Sequence, residues 1–161
     1  MALKRSRELK PLSSEHHQAL LVAFQLKKGL AGHAETAGAP RDLDGLLALA
    51  RRYEESVFRT HTSAEEDLLG RYLSGEDMRR LQGEHGEMRR LLDVARGAPP
   101  PQRRQALQEF ADLLERHCRW EERELFPRCE SQLNRETLSH VGHELEKRLV
   151  LAGRPALARS S

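Results

Sequence analysis

The sequence predicts an all-α fold, an up-down antiparallel four-helix bundle with an additional C-terminal helix. Three observations lead there. Leu, Ala, Arg, Glu and Gln dominate while β-branched residues are scarce, which favours helix over sheet. Apolar residues recur at helical spacing through four long segments. Short breaks rich in Gly, Pro and Ser separate those segments, and short connections make neighbouring helices antiparallel. A chain of 161 residues suits one domain. It is assigned to 12–152, with 1–11 and 153–161 as flexible termini.

Residues 1–11 read as a charged lead-in ending at Pro11. Ser13 or Ser14 offers the first N-cap, and a helical pattern then runs to 30. Residues 32–40 form a Gly/Ala/Pro loop. Asp42 or Asp44 starts a long second helix reaching about 73, with Gly70 loosening its last turn. Ser74-Gly75 breaks the chain before a third helix to about 96. The prolines at 99–101 stop that helix, because proline lacks the N–H and clashes with the preceding turn. A fourth helix spans 102–126 and ends at Pro127. The fifth, 134–152, carries Leu138, Val141, Leu145 and Leu149 at helical spacing.

Charge excludes several functions. With 27 basic and 25 acidic side chains the net charge is +2, which argues against an electrostatic nucleic-acid binder, since that would carry a strongly basic face. No apolar run approaches the roughly 20 residues that span a bilayer, so no membrane partner is expected. The basic start is not followed by an apolar stretch of the secretory kind. Cys118 and Cys129 make no disulfide framework, and a redox pair between them has no support in the sequence. A cytoplasmic location is the expectation.

The eight histidines are the unusual feature. Glu15-His16 is followed by His61-x-x-x-Glu65-Glu66, and Glu84-His85 by His117-x-x-x-Glu121-Glu122. A helix–helix unit therefore occurs twice. Residues four apart lie on one helix face, so His61 with Glu65, and His117 with Glu121, each aim an imidazole and a carboxylate at one spot. Placed at about 100° per residue, His16, His61, Glu65 and Glu121 fall in the apolar sectors of their helices, while His17, Glu66 and Glu122 do not. His85 lies farther off axis, by about 60°. Counting about 1.5 Å per residue from each turn puts the set within about 8 Å of one depth.

A single inward histidine is more often a hydrogen-bonded core residue than a ligand. Six inward polar residues in one layer are different, because burying two carboxylates and four imidazoles uncompensated would cost several kcal/mol. Metal coordination is the compensation that fits. Imidazole and carboxylate without thiolate suit iron, manganese or zinc. Six donors exceed one tetrahedral zinc and suit two six-coordinate ions bridged by the two carboxylates, with iron the first choice.

On these motifs, ending in Leu125-Phe126-Pro127, residues 12–130 resemble the hemerythrin-like (HHE cation-binding) family. The resemblance implies a four-helix bundle holding two non-haem iron ions with an oxo or hydroxo bridge. It implies that His16 and His61 hold one iron, His85 and His117 the other, and that Glu65 and Glu121 bridge them. The chain departs from archetypal hemerythrins in two places. Their second histidine on the third helix is replaced here by Arg89, beside Met88. The better-facing last carboxylate follows its histidine by four residues rather than five. Each iron then keeps an open position, which points to binding or turnover of dioxygen, peroxide or nitric oxide as sensing, detoxification or storage. The alternative is a metal-storage or metal-stabilised interaction module without small-molecule chemistry. A third reading is a helical partner-binding domain with no metal.

Among the other residues, His33, His140 and His143 are expected outside the site. Glu54 is in register two turns before His61, as a support to the site or at the solvated rim. Glu84, Glu66 and Glu122 are candidates to orient neighbouring imidazoles, since a metal-bound imidazole commonly donates its second N–H to a carboxylate.

Overall fold

The computed structural model describes residues 4–151, and all its regular elements are helical. They are α1 (Lys10–Leu30), α2 (Leu43–Tyr53), α3 (Arg59–Leu68), α4 (Gly75–Gly97), α5 (Pro100–Trp120), α6 (Phe126–Gln132) and α7 (Arg135–Glu146). Two wide π-type turns, Glu54–Phe58 and Glu121–Leu125, join α2 to α3 and α5 to α6 without leaving helical backbone angles. The chain therefore forms four long rods plus α7. Along these rods, α5 packs against both α1 and α4, and α2 lies against α1, α4 and α5. The all-helical prediction holds.

Several boundaries differ from expectation for local reasons. Pro11 does not precede α1 but sits in its first turn, where the missing N–H removes no hydrogen bond. The helix so begins before Ser13. Pro100 and Pro101 open α5 in the same way, two residues earlier than expected. Pro127 does not end the fourth rod. The wide turn Glu121–Leu125 interrupts the ordinary i→i−4 ladder just before it, so Pro127 falls in the first turn of α6 and the rod continues to Gln132. Other signals are met where expected. Asp42 caps α2 through Gly45 N–H, Ser74 caps α4 through Asp77 N–H, and Asn134 caps α7 through Thr137 N–H. The second rod loosens to a 3₁₀ turn at Gly70–Tyr72.

The lead-in is packed rather than loose over its described part. Leu9 is fully buried, and Arg5 bonds Glu122 and Glu130. Glu8 lies against Gly142 of α7, where a Cβ would come within 2.8 Å of the Glu8 Cα, so glycine is required for this approach. The flexible tail expected at 153–161, and the last residue expected for the fifth helix, Ala152, lie outside the described residues, as do residues 1–3.

The core divides into two apolar clusters. One holds Ala19, Phe58, Met88 and Leu114; the other holds Leu12, Ala64, Leu81 and Trp120. On each rod the chain passes from one cluster to the other across a histidine: His16 between Leu12 and Ala19, His61 between Phe58 and Ala64, His85 between Leu81 and Met88, His117 between Leu114 and Trp120. A polar layer is thus sealed between two apolar ones, and none of its four histidines is more than 5% exposed.

Candidate metal centre

All six predicted donors meet in that layer. They form two groups, His16, His61, Glu65 and Glu121, and Glu65, His85, His117 and Glu121, each with donor atoms within 4.8 Å of one another. Both groups contain both central carboxylates, and the oxygens divide between them. Glu65 places Oε1 at 3.0 Å from His61 Nε2 and Oε2 at 3.2 Å from His85 Nε2. Glu121 places Oε2 at 2.9 Å from His16 Nε2 and Oε1 against His117 Nε2. Each carboxylate thus spans from one group to the other. His85 needed no perfect placement on its helix face, since it is fully buried in the layer despite lying off axis.

The imidazoles are oriented from behind. His16 Nδ1 bonds Glu122 at 2.7 Å, His61 Nδ1 bonds Glu15 at 3.0 Å, His85 Nδ1 bonds Glu66 at 2.7 Å and His117 Nδ1 bonds Glu84 at 2.6 Å. A carboxylate only accepts, so each Nδ1 donates, and in the neutral imidazole each Nε2 turns its lone pair inward. The pattern follows the repeat. The Glu of each Glu-His pair holds the histidine of the same half, Glu15 to His61 and Glu84 to His117. The second Glu of each Glu-Glu pair crosses over, Glu66 to His85 and Glu122 to His16.

This arrangement lacks something positive at its centre. Both oxygens of Glu65, both of Glu121 and His16 Nε2 are buried without a hydrogen bond of acceptable geometry. Leaving such groups unpaired is costly. His85 Nε2 and His117 Nε2 stand 3.1 Å apart, which in the neutral tautomers sets two lone pairs face to face. Donors at about 2.1 Å and right angles around one six-coordinate ion stand about 3.0 Å apart. The observed spacings are of that size, so the donor set fits a pair of cations.

The electrostatics agree. Burial works to lower His117, but the charge and hydrogen bond of Glu121, with Glu84 behind, raise it to about 10. His16 and His61 are also raised against burial, mainly by Glu121 and Glu122 for the first and Glu65 for the second. Burial would raise Glu121, yet His117 and His16 hold it well below the usual carboxylate range. Glu122 is held at about 2, against burial, mainly by His16, with Ser13 and then Arg5 adding. Protons are drawn into the places that cations would take.

Other predicted positions sort differently. Glu54 neither supports the site nor lies at a solvated rim. It is 5% exposed and paired with Arg96, with Arg59 at 3.5 Å, tying the second rod to α4. His33, His140 and His143 are exposed, as is His17. Met88 is buried in the core, and Arg89 points out toward Glu66 at 4.0 Å, so the turn beyond His85 adds no donor. Two supporting residues were not singled out from sequence: Glu15, which the repeat itself signals because it precedes His16 as Glu84 precedes His85, and Arg5, for which no local signal exists.

The two cysteines are free, and they fall in different apolar clusters, so they make no redox pair. Burial pushes Cys118 up well above the usual thiol range and Cys129 up to about 12. The thiolate is the reactive form. The native chain should therefore show no thiol that reacts with Ellman's reagent within minutes at pH 8, and two after denaturation. A fast-reacting native thiol contradicts this.

A family model described as the Hemerythrin HHE cation binding domain matches residues 9–129 and again 79–147. No curated protein and no solved structure matches the chain.

Proposed function

The chain belongs to the hemerythrin HHE cation-binding family, and from that premise we propose that it is a cytoplasmic non-haem diiron protein that binds or reacts with dioxygen, peroxide or nitric oxide. The observation that carries the reading is the pair of donor groups sharing Glu65 and Glu121. His16 and His61 would hold one iron, His85 and His117 the other, with the two carboxylates bridging and a solvent oxygen completing the bridge. When bound, the iron pair would supply electrons to dioxygen or peroxide, or a binding position for nitric oxide.

The chain's own residues define what such a centre admits. The six donors are at most 5% exposed, and Phe58, Phe126 and Trp120 pack edge or face against the imidazoles. This wall excludes bulky substrates and bulk water and suits a ligand of diatomic size. Glu15, Glu66, Glu84 and Glu122 keep the imidazoles in one tautomer, so the donors are set before any cation arrives. With Met88 and Arg89 beyond His85, the layer would offer each cation two imidazole nitrogens and two carboxylate oxygens, fewer than six protein donors. That supports reaction with peroxide or nitric oxide over simple oxygen carriage.

The test is spectroscopic. The iron-loaded, reduced protein should develop near-ultraviolet charge-transfer absorption on exposure to air, and should consume peroxide or bind nitric oxide. An iron-loaded sample inert to oxygen, peroxide and nitric oxide alike rejects the reading in favour of a metal-stabilised module.

A further inference from the structure

Glu84, Glu66 and Glu122 each meet an arginine, and the arginines differ in setting. Arg80 bonds Glu84 at 3.0 Å and Arg89 approaches Glu66 at 4.0 Å, but their side chains are 44% and 49% exposed. Ion pairs so open to water are screened and contribute little. Arg5 is only 11% exposed. Its Nη2 donates to Glu122 Oε2 at 2.9 Å and to the Glu122 carbonyl at 2.6 Å, and its Nη1 to Glu130. Ser6 N–H donates to the other oxygen of Glu130 at 2.6 Å.

Two routes lead from Arg5 to His16. Glu122 offers Oε2 to Arg5 and Oε1 to His16 Nδ1. Phe126 takes the Arg5 guanidinium over its ring, 5.2 Å from the centroid, and stacks on the His16 ring with centroids 5.5 Å apart and planes 4° off parallel. The segment carrying Arg5 is itself secured by buried Leu9 and by Glu8 against Gly142. It lies outside the duplicated unit, and the histidines of the second half, His85 and His117, lean instead on Glu66 and Glu84 with their exposed arginines.

We propose that residues 4–9 form a strap in which Arg5 positions His16 through Glu122, so that the two cation positions are unequal and retention at the His16–His61 position depends on the strap. This rests on the paired-cation reading above. Arg5 is a positioning residue and touches no cation.

The experiment follows release of iron(II) from the anaerobically loaded full chain into a ferrous chelator. Removing a group behind a ligand typically weakens metal retention 10–100-fold, and Arg5 stands one step farther out, so Arg5→Ala should release one ion per chain about tenfold faster. The second ion should leave at the wild-type rate. Arg5→Lys keeps the charge but loses the fork, and should fall between. Arg80→Ala should leave both rates within about twofold, as expected of an exposed pair. On the metal-free chain, nitrogen-15 NMR of the imidazoles should show His16 Nδ1–H exchanging faster in Arg5→Ala, with His85 and His117 unchanged. Equal acceleration of both ions, no acceleration, or all imidazoles moving together overturns the strap. A wild-type chain that retains no iron overturns the paired-cation reading instead, and the metal-free NMR comparison still decides the strap.

Discussion

Loaded anaerobically with iron(II) and desalted, the wild-type chain should carry two ions, and Glu121→Gln should carry close to none. A single histidine replacement touches one donor group, whereas Glu121 sends one oxygen to each. Losing a group behind a ligand already weakens binding by about 10–100-fold, so losing the shared ligand should exceed that at both positions. Stability follows by linkage. At a thousandfold excess over the dissociation constant, a cation that binds only the folded chain adds about 4 kcal/mol. For a chain of this size that raises Tm by roughly 10 °C. Wild type should show the rise on loading and Glu121→Gln should not. Metal analysis and calorimetry check both halves. A variant that keeps two ions, or a wild-type Tm indifferent to iron, removes the basis for a shared bridge.

Phe126→Ala should be strongly damaging to the metal-free fold. Phe126 is fully buried in the cluster that holds Leu12 and Trp120, stacked on His16 and covered by Arg5. Truncating a buried phenylalanine costs about 3–5 kcal/mol, from lost transfer energy and the cavity left behind. That is a large part of the 5–15 kcal/mol typical of a whole domain. Urea unfolding of the metal-free chain measures it without interference from cation linkage. Phe24→Ala is the control. Phe24 is 45% exposed on α1, so its loss should stay within about 0.5 kcal/mol. A Phe126→Ala chain as stable as the control contradicts the packing described.

Much of the site was legible because helix geometry is local. His61 and Glu65, or His117 and Glu121, share a face by their spacing alone, whatever the rest of the chain does. His16 could be placed by the apolar stripe, and His85, off that stripe, by the duplicated Glu-His pair and by counting residues from its turn. The same counting is why the six residues fall at one depth, between Leu12 and Ala19 on α1 and between Leu81 and Met88 on α4. Boundaries set by proline were less legible. Pro11 reads as the end of the lead-in, the prolines at 99–101 as the stop of the third helix, which they are, and Pro127 as the end of the fourth, yet Pro11, Pro100 and Pro127 each occupy the first turn of a helix, where the missing N–H is harmless. For Pro127 the deciding feature is the wide turn Glu121–Leu125, which no residue pattern announced.

Glu54 shows the limit of a one-helix argument. Its register with His61 is correct in sequence, but the wide turn Glu54–Phe58 lies between them, and Arg96 on α4 captures its carboxylate. Arg5 shows the same limit from the other side. It belongs to a segment with no periodic signal, and its role exists only because Glu122 and Glu130 present carboxylates to it.

By itself the sequence determined the helical class, the duplicated unit and the six inward donors, because periodicity and i,i+4 spacing are properties of one helix at a time. Only the tertiary structure decided which glutamate stands behind which histidine, how Glu65 and Glu121 divide their oxygens, and that the lead-in is strapped across the bundle. Those outcomes depend on the relative rotation and height of separate rods, which side-chain packing sets across more than a hundred residues of chain and no local spacing encodes.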